Sequence, residues 1–199
     1  LLIGGSMANT FLAAQGHDLG ASRLAAEEVE VAHSILQRAR EVGVGIGLPT
    51  DLVVTDRLEQ GDGAPRNIET VTPERVPSGS RAVDIGPRTV ATFVDLLRQA
   101  RIVFWNGPPG VFEVEPFDSG SRELARAVAD TKAYTVVGGG ETVTVVNLAG
   151  VAGRIDHVST GGGASVALGA GKPLAGIGAL GEAAGGPERR ARGNGSSQT

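Results

Sequence analysis

The chain has 199 residues, enough for one domain with a real core and short of two. With 18 Lys plus Arg against 22 Asp plus Glu its formal charge is −4, which argues against nucleic-acid or membrane-surface binding, since both need a basic face. Cysteine is absent, excluding disulfide scaffolds, Cys-ligated zinc and thiol catalysis; no signal peptide and no apolar run of roughly 20 residues is present, so a soluble, cytoplasmic domain is expected.

The first residues, Leu1-Leu2-Ile3, read as a strand already under way, with no initiating methionine; the expectation is a chain that begins inside a larger protein. Gly4-Gly5 leads into a helix over Met7–Gln15. A longer helix is predicted from Ser22 to Val42, with Val29, Ala32, Ile35, Leu36, Ala39 and Val42 at helical spacing, Ser22 as its cap and Gly43 as its stop. Val44–Leu48 and Leu52–Thr55 read as strand pieces interrupted by Pro49. Residues 57–80 read as a surface excursion with a small hairpin around Asn67–Thr72.

Further along, the rhythm sharpens. Ala82–Ile85 is short and apolar, and Gly86-Pro87 starts a helix carrying Val90, Phe93, Val94 and Leu97 on one face. Arg101–Trp105 is an apolar strand ending in Asn106-Gly107-Pro108-Pro109-Gly110. A helix over Ser119–Ala129 returns to Tyr134–Val137, which ends in Gly138-Gly139-Gly140. A helix over Glu141–Leu148 returns to Ile155–Val158, which ends in Ser159-Thr160-Gly161-Gly162-Gly163. Short apolar strands separated by helices predict a parallel α/β sheet buried on both faces. Residues 181–199, rich in Gly, Ala, Arg and Ser, are expected to be a disordered tail, leaving 1–180 as the domain.

Glycine supplies 31 residues, roughly double the average usage of about 7%. Three successive strands end in glycine clusters, at the sheet edge where α/β ligands bind. A helix N-terminus offers free amides, and glycine lets an anion approach them, so three such turns in register make a phosphate cradle built from backbone. The alternative is that the glycines only permit tight strand-to-helix turns. Lys is confined to Lys132 and Lys172, and Gly171-Lys172-Pro173 is no Walker A loop; no G-x-G-x-x-G follows a strand. Among the histidines, His33 reads as a surface or groove residue and His157 as a core residue rather than a ligand. Ser159-Thr160 reads as a helix cap. Glu141 is either a helix-start charge or a ligand for phosphate-bound Mg²⁺, and Glu113 is placed to accept hydrogen bonds from a ribose.

Across residues 1 to 180 the chain resembles the carboxy-terminal, nucleotide-binding half of the phosphoglycerate kinase family. The segments that carry the resemblance are Gly4-Gly5-Ser6-Met7-Ala8-Asn9-Thr10-Phe11-Leu12, Leu48-Pro49-Thr50-Asp51, Asp84-Ile85-Gly86-Pro87, Trp105-Asn106-Gly107-Pro108-Pro109-Gly110-Val111-Phe112-Glu113, Gly138-Gly139-Gly140-Glu141-Thr142 and Ser159-Thr160-Gly161-Gly162-Gly163-Ala164-Ser165, in the family's order. It implies a three-layer α/β/α fold with a mostly parallel, Rossmann-like sheet whose first strand, with its G-G-A-K-type loop, is missing here. It also implies reversible phosphoryl transfer between 1,3-bisphosphoglycerate and Mg-ADP, giving 3-phosphoglycerate and ATP, in a monomeric cytoplasmic enzyme that binds no nucleic acid or membrane. By resemblance Glu113 contacts the ribose, Gly4 and Gly5 border the adenine cleft, and Asn106 lies near the phosphates. Gly138, Gly139, Gly140 and Thr142 flank the nucleotide phosphates. Glu141 serves the metal where the family usually has Asp, and Gly161, Gly162 and Gly163 donate helix amides to the phosphoryl in flight. The phosphoglycerate site belongs to the family's amino-terminal half, so this chain is expected to carry the nucleotide site and to be inactive alone. The alternative is a non-catalytic nucleotide-binding or interaction module.

Overall fold

The computed structural model describes residues 1–58, 67–159 and 161–172, and the chain divides into two compact units, Leu1–Gly162 and Gly163–Thr199. Helices α1 (Gly5–Ala14) and α2 (Val29–Val42) pack together because Ala8 and Phe11 of one meet Ala32 and Leu36 of the other, with Ile3 completing the cluster. The helix expected from Ser22 begins later: Ala26–Glu28 form a 3₁₀ turn and α2 proper starts at Val29. Ser22 is not its cap. The Ser22 hydroxyl donates to Leu19 O and accepts from Ala82 N at 2.8 Å, so it stitches a turn to a later strand. The stop at Gly43 is as expected: its φ of 72° is left-handed, and Val44 N reaches back to Ala39 O at 2.8 Å.

Leu1–Ile3 and Val44–Leu48 meet without forming a ladder. Leu2 bridges Gly47 in parallel, with Ile3 N donating to Gly47 O at 3.0 Å and Gly47 N to Leu1 O at 2.8 Å. Gly45, Gly47 and Pro49 break the second segment, glycine by its freedom and proline by its missing N–H.

Two three-stranded sheets follow. In the first, β1 (Leu52–Thr55) lies between β2 (Glu69–Val71) and β3 (Arg81–Ile85), antiparallel to both. The residues expected as a local hairpin at 67–72 are therefore a strand across β1. Among the described residues only β2 and a 3₁₀ turn, Pro73–Arg75, lie between β1 and β3, without a helix of the length that a parallel crossover uses. Helix α3 (Pro87–Arg98) then begins over Asp51, which is buried and accepts hydrogen bonds from Arg88 N at 3.0 Å and Thr89 N at 2.8 Å.

The second sheet, β4 (Ile102–Asn106), β5 (Tyr134–Gly138) and β6 (His157–Ser159), is parallel throughout in the order β4-β5-β6, with α4 (Ser119–Asp130) and α5 (Gly140–Leu148) as crossovers. This is the expected α/β architecture. Its core packs Val103 and Val137 against Ala125, Val128, Val145 and Val146, while Val90 and Phe93 of α3 close on Ile85 and Leu124. The other face departs from expectation. Alternation puts Ile102, Phe104, Tyr134 and His157 on one side, and Ile102, Tyr134 and Phe104 are 70%, 55% and 47% exposed. His157 is consequently exposed and not a core histidine. Helix α6 (Gly162–Gly169) follows β6. The tail at 181–199 and the domain limit at 180 lie outside the described residues. No helix among the described residues is long and apolar enough to cross a membrane.

Candidate functional site

The carboxyl ends of β4, β5 and β6 converge on one rim. Asn106 ends β4 and its Nδ2 donates to Gly138 O, the last residue of β5, at 2.9 Å. Gly139 N donates to Ser159 O at 3.1 Å, joining the second glycine cluster to the end of β6. Gly107 N donates to the buried Thr142 Oγ1 at 2.7 Å, which returns the first turn of α5 to β4.

The glycines of this rim divide into two kinds. Gly139 has a φ of 94°, a conformation that side chains oppose, and a Cβ on Gly162 would lie 2.7 Å from Gly139 Cα. These two are required by the close crossing of the chain itself. Gly140 and Gly163 have no such neighbour: a Cβ on either would meet nothing within 4 Å. Close packing of the chain therefore accounts for Gly139 and Gly162 and does not account for Gly140.

Beside the rim lies a cleft of about 460 Å³ whose lining includes Gly5, Asn9, Asp84, the segment Pro108–Glu113 and Glu141. The N-terminus of α1 forms one wall with that segment: Gly5 N donates to Pro109 O at 3.0 Å, and a Cβ on Gly4 would fall 2.5 Å from Pro109 Cβ. Trp105 Nε1 donates to Gly107 O at 2.8 Å, so the segment is anchored where it leaves β4. Glu113 and Glu141 are exposed, Glu141 in the first turn of α5.

Of the residues singled out in the sequence, Gly5, Glu113 and Glu141 thus border the cleft, Gly4 packs against its Pro109 wall, and Asn106, Gly138, Gly139, Gly140, Thr142 and Gly162 form the rim. Gly161 precedes α6 and its amide donates to Ser159 Oγ at 3.3 Å, a turn ahead of the helix and not a cap on an amide inside it; Thr160 lies outside the described residues, and Gly163 lies within α6. No group of three or more metal-ligating side chains occurs among the described residues.

Comparison with known proteins places this arrangement. The family model for phosphoglycerate kinase matches residues 1–172. The chain belongs to the phosphoglycerate kinase family. It is 47% identical over 180 residues to the phosphoglycerate kinase of Desulfosudis oleivorans and 51% identical over 180 residues to that of Desulforudis audaxviator, in each case covering 90% of this chain and 44% of the relative. The phosphoglycerate kinase structure from Coxiella burnetii superposes with a TM-score of 0.81 at 39% identity, over 86% of this chain and 44% of that one. That from Pyrococcus horikoshii gives 0.75 at 33% identity, over 90% and 44%. The chain spans less than half the length of these phosphoglycerate kinases.

Two features of the cleft were not anticipated. Arg23 and Arg81 line it, supplying positive charge in a chain nearly free of lysine, and neither sits in a recognisable pattern. Asp84 stands out in the sequence only as part of a motif, because burial of a polar residue in a short apolar strand leaves no signal at the level of spacing.

Proposed function

We propose that this chain is the nucleotide-binding, carboxy-terminal half of a phosphoglycerate kinase, and that the complete enzyme transfers a phosphoryl group reversibly between 1,3-bisphosphoglycerate and Mg-ADP, giving 3-phosphoglycerate and ATP. The observation that carries the reading is the continuity of the cleft with the glycine rim: Gly5, Glu113 and Glu141 line one cavity, and Glu141 immediately follows Gly140.

A nucleoside in the cleft would lie against Gly4, Gly5 and the Pro108–Pro109 wall, with Glu113 accepting from the ribose hydroxyls. The phosphates would run along Gly138–Gly140 and Asn106. Phosphoryl transfer relies on positioning and charge stabilisation rather than covalent chemistry, so accessible amides at helix starts suit it. Gly161, Gly162 and Gly163 would face the group in flight. Thr142 acts chiefly by holding Gly107 in place. Mg²⁺ is commonly held by one or two carboxylates together with substrate phosphates, and Glu141, an exposed carboxylate at the cleft, matches that donor set. Held there, the metal would neutralise part of the phosphate charge.

The phosphoglycerate site lies outside this chain, so the isolated polypeptide binds nucleotide without turning over. Titration calorimetry with Mg-ADP tests this: binding at micromolar concentration, weakened by Glu113→Gln, supports the reading, and no detectable binding by the folded chain overturns it. Mixing with the complementary part of the protein should restore turnover; nucleotide binding without recovery of turnover would favour a non-catalytic module.

A further inference from the structure

The cleft stands on a buried carboxylate that none of the roles above uses. Asp84, near the carboxyl end of β3, is 3% exposed. Its Oδ1 accepts from Ile85 N and its Oδ2 from Gly120 N, the second residue of α4, both at 2.8 Å. Two glycines close around it. A Cβ on Gly110 would collide with the carboxylate, and one on Gly120 would lie 2.6 Å from Oδ1. At the same place Val111 N donates to Val83 O at 2.8 Å, laying the Pro108–Glu113 wall against β3. Three pieces of chain therefore meet on one side chain: the strand, the cleft wall and the start of α4.

We infer that Asp84 is a positioning residue for the nucleotide cleft, setting where the Pro108–Glu113 wall and the first turn of α4 stand relative to β3. The inference rests on the nucleotide reading of the cleft given above. Ionised Asp84 can accept from both amides, whereas the protonated carboxyl carries a hydrogen on one oxygen and holds them unequally. Asp118 and Glu123 act on it from the α4 side, and Arg122 is already paired with Asp118. Opposite it on β1 stands Val53, which is uncharged, and Pro108–Phe112 contains no titratable side chain. Burial pushes the Asp84 carboxyl up to about 7; the amides of Gly120 and Ile85 oppose this, and the charges of Asp118 and Glu123 add to it. The group therefore changes charge in the range where the enzyme would work.

The test is Mg-ADP affinity from pH 5.5 to 8.5, by calorimetry, for the chain and for Asp84→Asn, with melting temperature recorded alongside. The Asn variant cannot accept from both amides, and we expect its affinity at pH 8 to fall by about three- to tenfold. The unsubstituted chain should lose affinity as pH drops through about 7, beyond the ligand's own titration, while the variant shows only the ligand's contribution. A purely structural role would move melting temperature and affinity together; a positioning role separates them, with affinity falling at low pH while stability rises. Equal affinities and parallel pH profiles in two folded proteins would overturn the inference and leave the nucleotide reading intact. Absence of binding by the unsubstituted chain would overturn both. If Asp84→Asn does not fold, Trp105, the only tryptophan and the anchor of the wall, decides. Its fluorescence in a His157→Gln background should change near pH 7 at constant far-UV circular dichroism, and a flat trace would count against Asp84.

Discussion

The hydroxyl of Thr142 accepts a hydrogen bond from the backbone amide of Gly107 at 2.7 Å, tying the first turn of α5 to the end of β4 across 35 residues of sequence. Thr142 is 1% exposed, so its methyl is packed while its oxygen holds a loop. Thr142→Val keeps the shape and removes the acceptor; Gly107 is exposed, so its amide turns to water and the loss is about 0.5–1.5 kcal/mol. Thermal denaturation should show that loss, with weaker Mg-ADP binding beside it, and Thr142→Ser should restore most of both.

The two kinds of rim glycine separate stability from ligand binding. Gly162→Ala places a methyl 2.7 Å from Gly139 Cα, a backbone atom that cannot step aside cheaply, and should cost about 1–3 kcal/mol. Gly140→Ala meets nothing within 4 Å and sits in α5, where alanine is the better helix former by about 1 kcal/mol. Its melting temperature should hold or rise. Mg-ADP affinity should nevertheless fall, because the added methyl occupies the approach to the amides.

Asp84 also predicts how stability varies with acidity. Its pKa is about 7 in the folded chain and near the ordinary 3.8 when unfolded, so between those values the folded state holds the extra proton. The associated stabilisation is fully present below about 3.8 and lost as pH rises to about 7, and it is on the order of a few kcal/mol. Asp84→Asn should flatten this part of the profile of melting temperature against pH; a slope unchanged by the substitution would contradict the assignment.

Asp51 carries the opposite dependence. Burial pushes its carboxyl up, but hydrogen bonds from the Thr89 hydroxyl, Thr89 N and Arg88 N, with the Arg88 charge, more than offset this and hold it below the usual range. Its contribution is present above the ordinary carboxylate pKa and lost as pH falls through the lowered value. Asp51→Asn should destabilise α3 by about 1–2 kcal/mol at neutral pH, with a smaller effect in acid.

What the sequence shows plainly is the part in which each element is locally consistent. Strands β4, β5 and β6, helices α3 to α5, and the glycine turns between them combine apolar runs, clear stops and short connections, and each falls within two residues of its expected place. The start of α2 and the antiparallel pairing of β1 were harder to read. Ser22 has a cap's chemistry, but its hydroxyl is taken by Leu19 and Ala82, the latter 60 residues away, and such a tertiary partner leaves no local trace. Likewise, the pairing of β3 with β1 rather than with the parallel strands depends on a connection whose length says nothing of direction. His157 looked like a core residue because its strand is apolar, and only the uncovered face explains its exposure. For the site, glycine clusters and acids were visible in the pattern, while Arg23, Arg81 and the buried Asp84 came together only through folding.

The exposure of Ile102, Phe104 and Tyr134 on one side of the parallel sheet bears on how the chain will look in solution. Dyes that brighten in oily surroundings, normally taken as a sign of loosened packing, should bind here while every helix and strand is intact. For this polypeptide such a signal would report a smooth hydrocarbon surface, and near-ultraviolet circular dichroism would be the sounder measure of whether the interior is ordered.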